Sequence, residues 1–97
     1  MRIMLVCAGG MSTSILMKKM EKYAVEKGVE LDIKAFAAQD LEDNYQQYDV
    51  ILLGPQISYK LNDIKKTVTI PVGVIQSFDY AVGNVENIMK LIQSIQQ

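Results

Sequence analysis

Ile3-Met4-Leu5-Val6-Cys7-Ala8-Gly9-Gly10-Met11-Ser12-Thr13-Ser14 is the stretch whose reading decides the fold. Its first half is an uninterrupted apolar run of strand formers, the pattern of a parallel strand covered on both faces. The run meets the chain's single cysteine, then two adjacent glycines, then three consecutive hydroxyl residues, after which the pattern turns helical. A thiol at the carboxyl end of a buried strand, followed by a flexible loop and a helix start, is a place to hold phosphate. Unpaired amides and the helix dipole favour negative charge there, and they favour the thiolate over the thiol for the same reason. Cys7 therefore reads as a nucleophile whose phosphoryl group rests on the backbone amides of residues 8–14.

Each residue type suits that task. Gly9 and Gly10 reach backbone angles closed to other residues, so that successive N–H groups can converge on one anion. Ser12, Thr13 and Ser14 offer hydroxyl donors and a natural N-cap. A lone cysteine is more often a small buried hydrophobe, and a Gly-Gly after a strand is often only a turn; the combination of strand, cysteine, glycines, hydroxyls and helix is what carries the reading. Other phosphate loops fit worse. No Gly-Lys pair is present for a Walker A loop, and G-x-G-x-x-G is absent. The spacing matches a phosphatase-type loop, in which five residues separate the cysteine from an arginine, but Thr13 stands at the arginine position. Arginine's fork grips the equatorial oxygens of a phosphoryl group in flight. Its loss argues against efficient hydrolysis and suits a carrier that accepts a phosphoryl group and passes it on.

Composition bounds the rest. The chain has 97 residues, 49% of them hydrophobic, enough for one small domain over 1–97 with a packed core. Net charge is −1, with Lys and Arg scattered, which gives no nucleic-acid surface. One cysteine cannot close an internal disulfide, in keeping with a reducing compartment. The absence of histidine removes the commonest general base and the commonest metal ligand. No carboxylates pair at a convincing metal spacing, so neither metal nor cofactor is expected. No segment approaches the roughly 20 apolar residues of a membrane span, and the N-terminal run is too short for a signal peptide. A soluble, cytoplasmic protein is expected.

Outward from the opening stretch, the pattern predicts a strand over residues 2–7 and a helix over 13–27. That helix is striped by Leu16, Met20 and Ala24 and stopped by Gly28. A second strand over 30–37 alternates Leu31, Ile33 and Ala35 with polar residues, as an edge strand would. A short helix near 41–45, capped by Asp40, precedes a buried strand over 48–53. Gly54-Pro55-Gln56-Ile57 then falls on the same sheet edge as Cys7, the edge at which open α/β sheets bind ligands. Gln56 could donate to a phosphate, orient the loop, or be a polar helix-start residue. Ile57, Leu61 and Ile64 stripe a helix ending near Lys66. A fourth strand over 69–75 contains Pro71 and is expected at the other edge. The residues from Gln76 to Tyr80 are predicted as a loop. Asp79 stands where a phosphatase keeps its general acid, although a solvated loop aspartate is the preferred reading. Asn84 caps a last helix buried along Val85, Ile88, Met89, Ile92 and Ile95. The alternation of strand and helix implies α/β architecture with a parallel sheet covered on both sides.

Over essentially its whole length, the chain resembles the IIB components of the lactose/cellobiose type of the bacterial phosphoenolpyruvate-dependent sugar phosphotransferase system. The marks are Val6-Cys7-Ala8-Gly9-Gly10-Met11-Ser12-Thr13-Ser14 and Leu53-Gly54-Pro55-Gln56-Ile57. The resemblance implies a four-stranded parallel sheet in order 2-1-3-4, similar to the low-molecular-weight tyrosine phosphatases. It implies that Cys7 takes a phosphoryl group from a phosphohistidine on a IIA component and gives it to a sugar held by a membrane IIC component. The protein would then be a phosphotransferase that visits the inner face of the membrane through IIC, without inserting. The phosphate would lie in the loop from Ala8 to Ser14, with Tyr80 near the active site and Ala8, Met11 and Tyr80 on an exposed docking rim. The competing readings are a low-molecular-weight cysteine phosphatase and a regulator that only binds. A thiol reductase fits less well, for want of a second cysteine.

Overall fold

The structure, a computed structural model, describes residues 1–7 and 12–96, and of Ser12 only its place in the backbone. Four parallel strands form one sheet in the order β2-β1-β3-β4: β1 (Arg2–Cys7), β2 (Asp32–Ala37), β3 (Val50–Leu53) and β4 (Val72–Val74). The helices are α1 (Ser12–Lys27), α2 (Leu41–Asn44), α3 (Leu61–Thr67), α4 (Ser77–Val82) and α5 (Val85–Ile95), with 3-10 turns at Ala38–Asp40, Tyr45–Gln47 and Pro55–Lys60. This is the expected strand order, with β2 and β4 at the edges.

The apolar run of β1 is buried because it is central. It pairs with β2 on one side and β3 on the other, and alternate side chains leave by opposite faces. Ile3 and Leu5 join Leu16, Met20, Ile88 and Ile92 beneath α1 and α5, while Met4 and Val6 join Leu41, Ile57 and Ile64 beneath α2 and α3. Cys7 has the parity of Ile3 and Leu5 and so opens toward the α1 face. Val50 and Leu52 of β3 repeat the division, with Ile51 and Leu53 on the opposite face.

Several element ends are shorter than the sequence predicts. Thr69 to Pro71 do not join β4: proline has no amide to offer, and its carbonyl only accepts from the Ile51 amide, at 2.9 Å. In β2 only Ile33 is buried, and Ala35 is exposed rather than on a covered face, as fits an edge. Asp40 sits at the start of α2 but makes no side-chain cap bond, since the Ala38–Asp40 turn already leads the backbone into the helix. The main revision is at residues 76–80. They are not a loop, because Ser77–Val82 is helical, and Asp79 is buried rather than solvated.

The ends are secured locally. Gly28 adopts φ +68°, with its amide on the Val25 carbonyl and the Val29 amide on the Ala24 carbonyl, a Schellman stop of the kind that favours glycine. At the sheet end away from Cys7, the Arg2 guanidinium donates to Asp32 and to the Gln47 carbonyl, and lies 4.9 Å from the centre of the Tyr48 ring. The Asn84 side chain accepts from the Asn87 amide at 3.2 Å, the predicted cap of α5. Asn84→Ala is expected to lower unfolding free energy by about 1 kcal/mol without changing the denaturant slope, as read by urea denaturation; Asn84→Asp should lose much less.

Candidate active site

Cys7 ends β1, and Thr13 is the second residue of α1, so the strand-to-helix passage returns the chain to its own cysteine. Cys7 Sγ and Thr13 Oγ1 are hydrogen-bonded at 3.0 Å, and Thr13 Oγ1 and Tyr80 Oη at 3.1 Å. All three residues are buried, with Cys7 5% and Thr13 3% exposed. When the sulfur is a thiolate, only one direction of this chain is available. Thr13 must donate to sulfur, and its oxygen then accepts from the Tyr80 hydroxyl. Each bond polarises the next, so the arrangement stabilises negative charge on sulfur.

The structure thus brings Cys7, Thr13 and Tyr80 together. Ala8, Gly9, Gly10 and Met11 lie outside the described residues, as does the side chain of Ser12, and Ser14 is exposed on the first turn of α1. The expected exposed rim around Cys7 is not what Tyr80 provides: it is 7% exposed, because its ring joins the apolar cluster under α1 and α5. Asp79, one residue away, turns elsewhere. Its Oδ1 accepts from Asn87 Nδ2 of α5 at 3.0 Å, and it lines a cavity of about 320 Å³ with Asn87, Ile88 and Lys90.

Gly54-Pro55-Gln56-Ile57 does reach the same edge. The Gly54 amide donates to the Val6 carbonyl at 2.9 Å, carrying the strand pairing one residue past β3. A Cβ on Gly54 would stand 3.4 Å from Cys7 Cβ and 3.0 Å from Gln56 Oε1. The approach to the cysteine is an ordinary contact distance, and only the end of the exposed Gln56 side chain lies tight against this glycine. Ile57 is a core residue. Sequence reasoning missed Gly54 as the wall beside Cys7 and missed the Asp79–Asn87 tie; the second had only an eight-residue spacing across a glycine turn to mark it. Among the described residues no group of His, Cys, Asp and Glu could hold a metal ion, and no helix is long and apolar enough to cross a membrane.

Residues 2–91 match the family described as PTS system, Lactose/Cellobiose specific IIB subunit. The chain belongs to this IIB family. It is 33% identical to the galactose-specific EIIB component of Lactococcus lactis subsp. cremoris, over 96% of this chain and 94% of that one. To the cellobiose-specific EIIB component of Lactococcus lactis subsp. lactis it is 32% identical over the same shares, 96% and 94%. The solution structure of the cellobiose-specific phosphotransferase IIB component from Borrelia burgdorferi superposes with a TM-score of 0.82 at 37% identity, over 99% of this chain and 91% of that one. The lactose-specific IIB domain from Streptococcus pneumoniae shares the fold, with a TM-score of 0.83 at 18% identity, over 100% and 98% of the two chains. The IIB fold is that of the low-molecular-weight tyrosine phosphatases, as expected, and IIB components act as phosphotransferases in sugar uptake. Membership implies IIA and IIC partners in general.

Thr13→Val in this IIB chain keeps the shape of residue 13 but removes its bonds to Cys7 and Tyr80. The expected loss is about 1–2 kcal/mol of unfolding free energy in chemical denaturation, with Thr13→Ser retaining most of it. Gly54→Ala is expected to cost less than Thr13→Val in the same assay, since its new methyl meets a flexible glutamine end rather than backbone.

Proposed function

We propose that this chain is a phosphocysteine carrier. Cys7 accepts a phosphoryl group from the phosphohistidine of a IIA component and passes it to a β-linked disaccharide or oligosaccharide of the cellobiose type, held by a membrane IIC component during uptake. The observation that carries this reading is Cys7 Sγ at the carboxyl end of a central strand, 3.0 Å from Thr13 Oγ1 at the N-terminus of a 16-residue helix. In the first transfer the S–P bond forms as the P–N bond breaks, and the proton lost by the thiol is balanced by one gained at the departing imidazole. In the second, a sugar hydroxyl oxygen attacks phosphorus, the P–O bond forms as the S–P bond breaks, the electron pair of that bond returns to sulfur, and the proton released by the hydroxyl restores the thiol.

Sulfur is therefore nucleophile in one step and leaving group in the next. A hydroxyl that donates to thiolate serves both, because it stabilises the charge that sulfur bears before the first step and after the second. Phosphoryl transfer passes through a loose transition state, so oriented donors in the loop from Ala8 to Ser14 supply most of what the protein contributes. No step calls for a metal or cofactor. Since Cys7 is a buried residue, the sulfur must become accessible when a donor arrives, and a phosphocysteine held at that depth is guarded from water.

Thr13 in the arginine position disfavours the phosphatase reading, and so does Asp79, whose carboxylate oxygen is occupied by Asn87 rather than poised as an acid at Cys7. The carrier works in the cytoplasm and meets the inner face of the membrane through IIC. The relatives are named for galactose, cellobiose and oligo-beta-mannoside, and sugar choice is assigned to IIC, which holds the sugar.

Incubation with phosphorylated IIA should add one phosphoryl group, located at Cys7 by mass spectrometry. Cys7→Ser should reduce incorporation to background, and turnover of an aryl phosphate should stay near the buffer rate. Incorporation that survives Cys7→Ser, or vigorous aryl phosphate hydrolysis, would reject the carrier.

A further inference from the structure

The carrier reading leaves Asp79 without a task, yet the residue is 9% exposed and its partner is specific. It belongs to α4, a helix of six residues, too short to hold its own shape in water. The orientation of α4 must come from its tethers. Among the described residues, these include three side-chain bonds to neighbouring helices. Lys19 Nζ of α1 donates to the Val82 carbonyl at 2.9 Å, from an exposed and flexible side chain. Thr13 Oγ1 of α1 meets Tyr80 Oη at 3.1 Å. Asn87 Nδ2 of α5 donates to Asp79 Oδ1 at 3.0 Å, and this last bond is oriented at its far end as well, because the Asn87 amide is held by the Asn84 cap.

Successive helical residues project about 100° apart, as 3.6 residues per turn require. One short helix can therefore send the Asp79 carboxylate to α5 and the neighbouring Tyr80 ring toward α1 and Cys7. Fixing the first fixes the rotation of α4 about its axis, and so the height at which the Tyr80 hydroxyl meets Thr13. We propose that Asp79 is a positioning residue for phosphoryl transfer: through its bond to Asn87 it sets the rotation of α4 that holds Tyr80 Oη on Thr13, and thereby the Thr13 hydroxyl on Cys7 Sγ. The inference rests on the carrier reading and extends it to a side chain that never touches the sulfur.

The test is single-turnover transfer from phosphorylated IIA, followed by rapid quench over a range of donor concentrations. Asp79→Ala should lower the limiting rate about tenfold while leaving the half-saturating donor concentration unchanged. Asp79→Asn keeps an acceptor for Asn87 and should restore the rate to within about twofold. Tyr80→Phe should produce a loss similar to Asp79→Ala, and the double variant should be no slower than Tyr80→Phe alone, because both substitutions break one chain. Equal further slowing by Asp79→Ala in the Tyr80→Phe background would overturn the positioning role, as would an unchanged rate in Asp79→Ala. Should Asp79→Ala not fold, Asn87→Ala at the exposed end of the bond decides the matter by the same two comparisons. A wild-type chain that takes no phosphoryl group at Cys7 would remove the carrier reading and the positioning role together, an outcome distinct from an active wild type indifferent to Asp79.

Discussion

One hydroxyl group joins the two halves of this molecule. Thr13 Oγ1 stands between a sulfur at the end of the central strand and a phenol on a helix 67 residues away, within hydrogen-bond distance of both. It can serve both only if β1 and α1 meet at a fixed angle and α4 lies across them. The apolar clusters on the two sheet faces supply the first condition, since β1 cannot shift without uncovering side chains on both sides at once. The second is met by local polar bonds, which are directional where burial is not.

This division of labour explains what could be read from the residues. The double-sided cover follows from two apolar runs, Ile3 to Val6 and Val50 to Leu53, which suit central strands of a parallel sheet, whereas the strand order was implied by the family resemblance. The approach of Thr13 to Cys7 was legible because a thiol, glycines and hydroxyls follow the first run, whereas Ser14, from the same cluster, is exposed on the first turn of α1. Helix α4 was not. Of its six residues only Asp79 and Tyr80 are buried, too few to show a period, and a carboxylate in that pair reads as solvent-facing until its amide partner is known. Gly54 was legible as the close of a strand, but not as a neighbour of Cys7 Cβ, because that approach depends on the register of β1 with β3.

The two ends of the sheet are built from different chemistry. At the end holding Arg2, a guanidinium engages a carboxylate, a carbonyl and an aromatic face near the surface, where such contacts are individually weak and exchange readily with water. At the Cys7 end the bonds are neutral hydroxyl and thiol contacts shut into the interior. In that second environment a low local dielectric strengthens every donor aimed at a developing charge and keeps water from competing with it.

The burial of position 13 also limits which side chains it can hold. The phosphatase-type loop places an arginine at the corresponding spacing, one substitution away from this sequence. Here that site is 3% accessible and its oxygen lies 3.1 Å from a phenolic oxygen. Along the direction that the Thr13 hydroxyl takes, the phenolic oxygen leaves no room for a guanidinium. An arginine following that direction would require the rebuilding of a neighbouring element, which places a structural barrier between two side chains that one scaffold can carry.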